Sequence, residues 1–303
     1  MGEKYNRREF LGLTVAGLAT FVSCKKSKDM SSGDKVVIKN QILNIYDNIS
    51  EEGNEAIPDW GFSAFIQYNG KTILFDAGTH PDILEHNAKM LGADLTAVDI
   101  AVLSHNHIDH IDGFDYLLKV NPDFKLFLPH DVVLGADYYE SDKKYTRGYR
   151  YRHPNTEFVN EHTEIAPGVF LIATTSPLTG QFWKYPPYDN EPLFVEMPEL
   201  SIAVEGEDGY LSIISGCSHS KIEEIVKATK NYLSKNVSLV VGGFHHLPYS
   251  NEYIYNISTM MKDEFGVKRV APTHCTGEKS INIFKDLYKE NFHYFGLGAK
   301  LSV

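Results

Sequence analysis

The sequence predicts an α/β fold whose strand ends gather histidines, and three observations carry that expectation. Short apolar runs alternate with helical patterns from about residue 36 to the end of the chain. Four of those runs end in a small-residue turn that presents histidine, at His105/His107/His110, His219, His245/His246 and His274. The first of these turns also packs three histidines and Asp109 into residues 105–110, directly after the apolar run Val98–Leu103. Ends of strands on one sheet edge converge in space, so histidines far apart in sequence can meet there.

The elements follow in order. Val36–Ile38 and Ile42–Tyr46 read as strand, and Phe62–Tyr68 and Thr72–Phe75 as a hairpin turned at Asn69-Gly70. Pro81 opens a helix to about Leu91, and Gly92 stops it. The strand 98–103 delivers the histidine loop. Phe114–Val120 reads as a short helix ended before Pro122, and Lys125–Leu128 as a strand. Residues 135–195 differ in composition, with Tyr138, Tyr139, Tyr145, Tyr149, Arg147, Arg150, Arg152, Trp183 and Tyr185. Only Val169–Ala173 reads there as a firm strand. Such an aromatic insertion forms either a lid and pocket wall or a packed structural element. Leu200–Val204 and Tyr210–Ile214 read as a second hairpin, followed by a helix over Lys221–Leu233 with apolar positions at helical spacing. The strand Val237–Val241, a helix from Glu252 to Phe265, the strand Val267–Ala271, a helix from Glu278 to Tyr288 and a short strand at His293–Phe295 complete the chain.

Neutral imidazoles and a carboxylate are the ligand set for Zn²⁺, Fe or Mn. The bland alternative is a histidine-rich surface loop. With 13 histidines in 303 residues, however, an H-x-H-x-x-H run is expected by chance only roughly 0.02 times per chain. In an extended loop, the i, i+2 spacing turns His105 and His107 to the same side. Asp109 and His110 must point elsewhere, which suits a second ion beside the first.

Hydrophobic content of 43% and charged content of 23% fit a globular chain with a sizeable core. A net charge of −11 offers no phosphate-neutralising face and argues against a nucleic-acid partner. Three cysteines are too few for a disulfide framework. At the N-terminus, Asn6-Arg7-Arg8-Glu9-Phe10-Leu11 precedes a short apolar run ending in Phe21-Val22-Ser23-Cys24. Paired arginines before such a run resemble a twin-arginine export signal, and the ending resembles a lipobox. The expectation is a signal peptide over 1–23, lipidation at Cys24, a flexible tether over 24–35 and a domain over 36–303. That chain would be exported, lipid-anchored on the periplasmic face, with membrane contact only through Cys24. An uncleaved N-terminal anchor helix is the alternative.

Ser104-His105-Asn106-His107-Ile108-Asp109-His110 matches the H-x-H-x-D-H signature of the metallo-β-lactamase superfamily, and Leu74-Phe75-Asp76-Ala77-Gly78 matches its first motif. Gly216-Cys217-Ser218-His219, Gly242-Gly243-Phe244-His245, His274-Cys275-Thr276-Gly277 and Glu199-Leu200 resemble a subgroup that includes an archaeal dihydropterin–aminobenzene phosphate synthase and many metal-dependent hydrolases. The resemblance spans residues 36–303. It implies a four-layer αββα sandwich holding two divalent ions, Zn first, with Fe or Mn as alternatives. It places His105, His107 and His219 on one ion, and Asp109, His110 and His274 on the other. Asp76 would orient ligands from behind, a metal-bound hydroxide would be the nucleophile, and Asp109 would accept its proton.

Two departures stand out. The superfamily often carries a histidine in a G-H-T-x-G turn and an aspartate at the end of the following strand. The region Thr174–Gly180 has no histidine, and Cys217 stands where the aspartate is common. Cys217 is therefore either an additional ligand or a buried, inert thiol, and a Cys217–Cys275 disulfide is open. His245 reads as substrate-facing, and His246 less so. Arg147, Arg150, Arg152 and His153 are candidates for binding an anionic substrate; the alternative is a solvated face. The expected function is hydrolysis of an ester, phosphoester or lactone on a small molecule. The alternatives are a synthase-like transferase and a non-catalytic metal-binding lipoprotein or di-iron redox site.

Overall fold

The strands read as almost continuous apolar runs because both faces of each sheet are covered. In the computed structural model, residues 40–129, 153–176 and 197–303 are described, together with the backbone of 137–140 and 143–146. Strand β1 (Gln41–Asp47) pairs antiparallel with β2 (Phe62–Tyr68), which pairs antiparallel with β3 (Lys71–Phe75). Asn69 and Gly70 turn β2 into β3 with φ of 47° and 77°, the two positive dihedrals of a two-residue type I′ turn. From β3 onward the pairing becomes parallel, through β4 (Ile100–Val102) and β5 (Lys125–Pro129). A separate antiparallel pair, β6 (Asp137–Glu140) and β7 (Lys143–Thr146), precedes β8 (Thr156–Val159), which adds in parallel to β5.

The second sheet contains β9 (Thr163–Ala166), β10 (Val169–Ser176), β11 (Met197–Glu205), β12 (Leu211–Ser215), β13 (Val237–Gly243) and β14 (Arg269–Thr273). Its first four strands run antiparallel, and β12, β13 and β14 run parallel. The last strand, β15 (Lys300–Ser302), returns to the first sheet beside β1. The strand orders are β15-β1-β2-β3-β4-β5-β8 and β14-β13-β12-β11-β10-β9.

Three apolar clusters show how the layers stack. One joins the facing sides of the two sheets, with Ile42, Phe62, Ile66 and Phe75 against Leu171, Ile202, Ile214 and Val241. The second covers the outer face of the first sheet with α1 (Pro81–Leu91) and α3 (Phe114–Val120), α2 (Ile108–Ile111) being the short turn between them. The third covers the outer face of the second sheet with α4 (Ile222–Leu233), α5 (Asn251–Thr259) and α6 (Glu278–Tyr288). The architecture is the expected αββα sandwich. Local signals fix the ends of α1 as read, with Pro81 in its first turn and Gly92 at φ 73° after it, and the Ser250 hydroxyl accepts the Tyr253 N–H at the start of α5.

The structure corrects the sequence reading in three places. Residues 135–195 hold four further strands, β6 to β9, beside the expected one, which itself runs on to Ser176. All four are only four residues long, and β8 and β9 are partly exposed and polar, as edge strands are. The helix expected over 252–265 is α-helical to Thr259 and then a π-turn over Met260–Glu264. The closing strand is Lys300–Ser302, whereas Phe292 makes only an isolated bridge to Val270. The strand expected at Val36–Ile38 lies outside the described residues, as do the signal segment, Cys24 and the tether.

The histidine loop is locked to the first motif by a glycine. The Gly113 N–H donates to the Gly78 carbonyl at 3.1 Å, and the Ala77 N–H to the His110 carbonyl at 2.9 Å. A Cβ at Gly113 would lie 1.8 Å from the Ala77 carbonyl oxygen. Gly113→Ala is expected to destabilise the fold by about 3 kcal/mol, the upper end of overpacking costs. The denaturant midpoint measures it, and an unchanged midpoint would contradict this packing.

Candidate metal centre

Every candidate ligand stands just beyond the C-terminal end of a strand, where α/β sheets place their sites. Asp76 follows β3; the 105–110 loop follows β4; Cys217 and His219 follow β12; His245 follows β13; His274 follows β14. The two sheets present these ends to a common point. The ligand atoms of His105, His107 and His219 lie within 4.8 Å of one another, as do those of Asp109, His110 and His274. Both trios read from the sequence are therefore brought together. The rings confirm the clustering: His105 lies 4.3 Å from His110 and 4.7 Å from His219, and His110 lies 5.2 Å from His274, centroid to centroid.

The ligands are aimed from behind. The Asp76 carboxylate is fully buried and accepts the Ser104 N–H at 2.6 Å and the Ser104 hydroxyl at 2.6 Å. It also lies 2.7 Å from His110 Nδ1. Ser104 Oγ in turn lies 2.8 Å from His105 Nδ1. One carboxylate thus fixes one ring of each trio, leaving both Nε2 atoms to face the cluster. His274 Nδ1 lies 2.8 Å from the Asn48 side-chain oxygen. The turn carrying His219 is held by Glu199, which accepts the His219 and Ser220 N–H groups at 3.0 and 2.9 Å and the Ser220 hydroxyl at 2.6 Å.

The electrostatics favour neutral imidazoles on the first trio. Burial, reinforced by the neighbouring rings, pushes His105 and His219 well below the ordinary histidine range. His107 is pushed down to about 4 by burial, against the pull of Asp109. Burial acts downward on His110 too, but Asp109 and Asp76 outweigh it and lift the group to about 9. Burial acts upward on Asp109, yet the surrounding imidazoles of His110, His274 and His107 hold it well below the usual carboxylate range. Neutral imidazole is the form that binds a metal.

The residues fit a metal on structural grounds. His219 Nε2 and His274 Nε2 are buried without a hydrogen-bond partner; the nearest carboxylate oxygen to the latter, on Asp109, is 3.5 Å away. Buried polar nitrogens are normally satisfied, so two orphans within this cluster call for a partner, and an ion is the natural one.

Other candidates are placed as follows. Cys217 Sγ lies 3.2 Å from His110 Nε2 and 3.2 Å from Cys275 Sγ, and both cysteines are free thiols. His245 packs its ring 4.1 Å from His219. His246 turns away from the cluster, with Nδ1 2.8 Å from the Ser280 hydroxyl and its ring against Phe284. His153 is buried, stacked on Phe124 at 4.3 Å with Nε2 2.8 Å from the Pro122 carbonyl, so it packs the core and does not bind an anion. Arg147, Arg150 and Arg152 lie outside the described residues. Trp60 went unnoticed in the sequence; half-exposed, it sets its ring 5.2 Å from that of His274. Asn48 was missed too, since nothing local marks a residue that acts 226 positions away. Glu199 did carry a signal, a lone carboxylate entering an apolar strand.

A model described as a beta-lactamase superfamily domain matches residues 71–177. The 7,8-dihydropterin-6-methyl-4-(beta-D-ribofuranosyl)-aminobenzene-5'-phosphate synthase of Methanocaldococcus jannaschii is 27% identical over 282 residues, which is 84% of this chain and 95% of that protein. A metal-dependent hydrolase of the beta-lactamase superfamily superposes with a TM-score of 0.67 at 27% identity, over 87% of this chain and 99% of the other. Zinc-bound PqqB from Methylobacterium extorquens shares the fold, with a TM-score of 0.54 at 12% identity over 87% of this chain and all of that one (100%).

Proposed function

This chain is a member of the metallo-β-lactamase superfamily, and on that premise we propose that it is a metal-dependent hydrolase of a small ester, phosphoester or lactone. The observation that carries the reading is the convergence of two complete ligand trios on one point, with buried imidazole nitrogens left open toward it. His105, His107 and His219 would hold one divalent ion, zinc first, and Asp109, His110 and His274 the other. Such ions supply a water acidic enough to attack near neutral pH and a Lewis acid for the oxygen of the scissile group. The protein does the rest. Asp76 and Ser104 hold His110 and His105 in register, Glu199 fixes the His219 turn, and Asn48 fixes His274. Asp109, kept ionised by its imidazole neighbours, accepts the proton of the attacking water. The half-exposed Trp60 offers an apolar face beside His274 for the substrate.

Metal analysis and turnover test this directly. The purified chain is expected to hold about two equivalents of metal and to hydrolyse a nitrophenyl phosphodiester or ester, and His107→Ala to abolish that turnover. Under about one equivalent in a folded sample would sink the two-ion form, and unchanged turnover in His107→Ala would sink the enzymatic reading. Chelation is expected to lower the Tm, because a ligand present at about 100 times its Kd adds roughly 2.7 kcal/mol to the folded state. A calorimetric scan with and without chelator measures it.

A second reading is supported by the M. jannaschii relative, whose name describes a synthase. Formation of that named product by this chain would favour it. The arginine pair and the Cys24 lipobox support an exported lipoprotein, a location that suits a hydrolase of external small molecules better. Radiolabelled lipid incorporation that is lost in Cys24→Ala tests the anchor.

A further inference from the structure

Large apolar side chains stay in water beside the metal centre. Trp60, Ile108 and Leu247 are 49%, 43% and 54% exposed. Ile108 stands between His107 and Asp109 in the histidine loop. Trp60 sets its ring against that of His274. Leu247 follows His245 by two residues and packs on the turn after His274, where a Cβ at Gly277 would lie 2.5 Å from Leu247 Cδ2. Single exposed hydrophobics need no explanation, but a group of them around one centre marks a binding surface.

Trp60 is held in place by its neighbours. The Ile57 N–H donates to the Asn87 side-chain oxygen at 2.7 Å, and the Asn87 amide donates back to the Ile57 carbonyl at 2.9 Å. The Asp59 N–H donates to the Asp47 carbonyl at 3.1 Å. The Asp59 carboxylate accepts the buried Tyr46 hydroxyl and lies 2.7 Å from His80 Nδ1. The Thr79 hydroxyl donates to the Trp60 carbonyl. Gly61 then lets the chain cross the histidine loop, since a Cβ there would lie 2.6 Å from the Asp109 carbonyl oxygen. The indole is therefore a preorganised surface that loses little freedom when a substrate arrives. Charge narrows what that substrate is. Residues 48–61, 104–113 and 244–250 contain Glu51, Glu52, Glu55, Asp59, Asp109 and Asp112 and neither lysine nor arginine. Lys279 reaches the last of these segments only to donate to the Tyr249 carbonyl. An anionic group meets like charge here, and an apolar one does not.

We propose that Trp60 and Leu247 form a fixed apolar wall that selects a carboxylic ester with an apolar acyl chain over a phosphoester. The inference rests on the hydrolase reading above and narrows it. With the scissile carbonyl at the metal centre, the acyl chain lies along the wall and leaves water, a gain in proportion to the apolar area covered. Water adds to the acyl carbon, the acyl C–O bond breaks, and the products are the carboxylic acid and the alcohol.

Nitrophenyl esters from acetate to octanoate, with a nitrophenyl phosphodiester beside them, test this on the metal-loaded full chain. The kcat/KM is expected to rise about two- to fourfold per added methylene, fourfold being the worth of a fully buried CH₂. The phosphodiester is expected to be spared or to show a higher KM than the octanoate. The octanoate-to-acetate ratio is expected to fall at least about tenfold in Trp60→Ala and in Leu247→Ala, the scale of lost apolar contacts in a pocket, and to survive in Trp60→Phe. A kcat/KM that is flat along the series, a lower KM for the phosphodiester than for the octanoate, or an unaltered ratio in either alanine variant overturns the proposal. Failure of the metal-loaded chain to turn over any of these substrates overturns the hydrolase reading itself.

Discussion

Asp109→Asn is expected to lower kcat by on the order of 100- to 10,000-fold, the usual worth of a positioned general base, while leaving the fold intact. Asp109 lies in the first turn of α2, just after the His107 cap, with Oδ2 3.7 Å from His110 Nε2 and 3.5 Å from His274 Nε2. Those distances exceed a hydrogen bond, so the carboxylate faces the rings without being spent on them. Burial works to protonate it, but the imidazoles around it win and keep it ionised. It is therefore charged across the working pH range, and the acid limb of the pH–rate profile is expected to be set elsewhere. Asparagine keeps the shape and one oxygen but accepts no proton. The measurement is kcat on a nitrophenyl substrate, with metal content matched to wild type. A fall only in proportion to metal lost would leave Asp109 as a ligand and nothing more.

Asp76→Asn is expected to cost both metal and stability. The carboxylate is buried, sits at φ 58°, and gathers the Ser104 N–H, the Ser104 hydroxyl and His110 Nδ1. An amide nitrogen has to face at least one of those donors. Removing the charged member of a buried pair costs about 3–5 kcal/mol, a Tm loss on the order of 10 °C for a domain of this size. Carboxylates behind metal-bound imidazoles are worth about 10- to 100-fold in metal affinity, which competition with a chromophoric chelator reads out. The metal-free protein adds a signature in pH. His110 is lifted above its unfolded value, so its contribution to stability is full below about 6.5 and is lost as pH rises through about 9. Asp76→Asn is expected to flatten that slope. A wild-type Tm and metal affinity in this variant would refute the role.

The sequence by itself determined much of this molecule, because its strongest signals are local. Pro81, Gly92 and the Asn69-Gly70 pair act through dihedrals that one or two residues decide, and α1 and the first hairpin stand where they were read. The H-x-H-x-D-H run names its own ligands, since i, i+2 spacing after a strand fixes which side chains share a side. The recurrence of histidine at four strand ends was enough to expect convergence, but the reading placed them on one sheet edge, whereas β4 belongs to the first sheet and β12, β13 and β14 to the second, so the meeting point lies where the ends of two stacked sheets come together.

What only the tertiary structure decided depends on distance along the chain and on space. The polar edge strands β8 and β9 carry too little apolar pattern to be read, and they exist because a neighbouring edge offers backbone partners. Asn48 behind His274, and His153 folded into the core, follow from packing between segments remote in sequence. The placement of Cys217 is of the same kind. Its residue type raised a question about the missing carboxylate, but its reach toward both trios comes from two glycines on the adjacent strand that leave no side chain to hold the backbones apart.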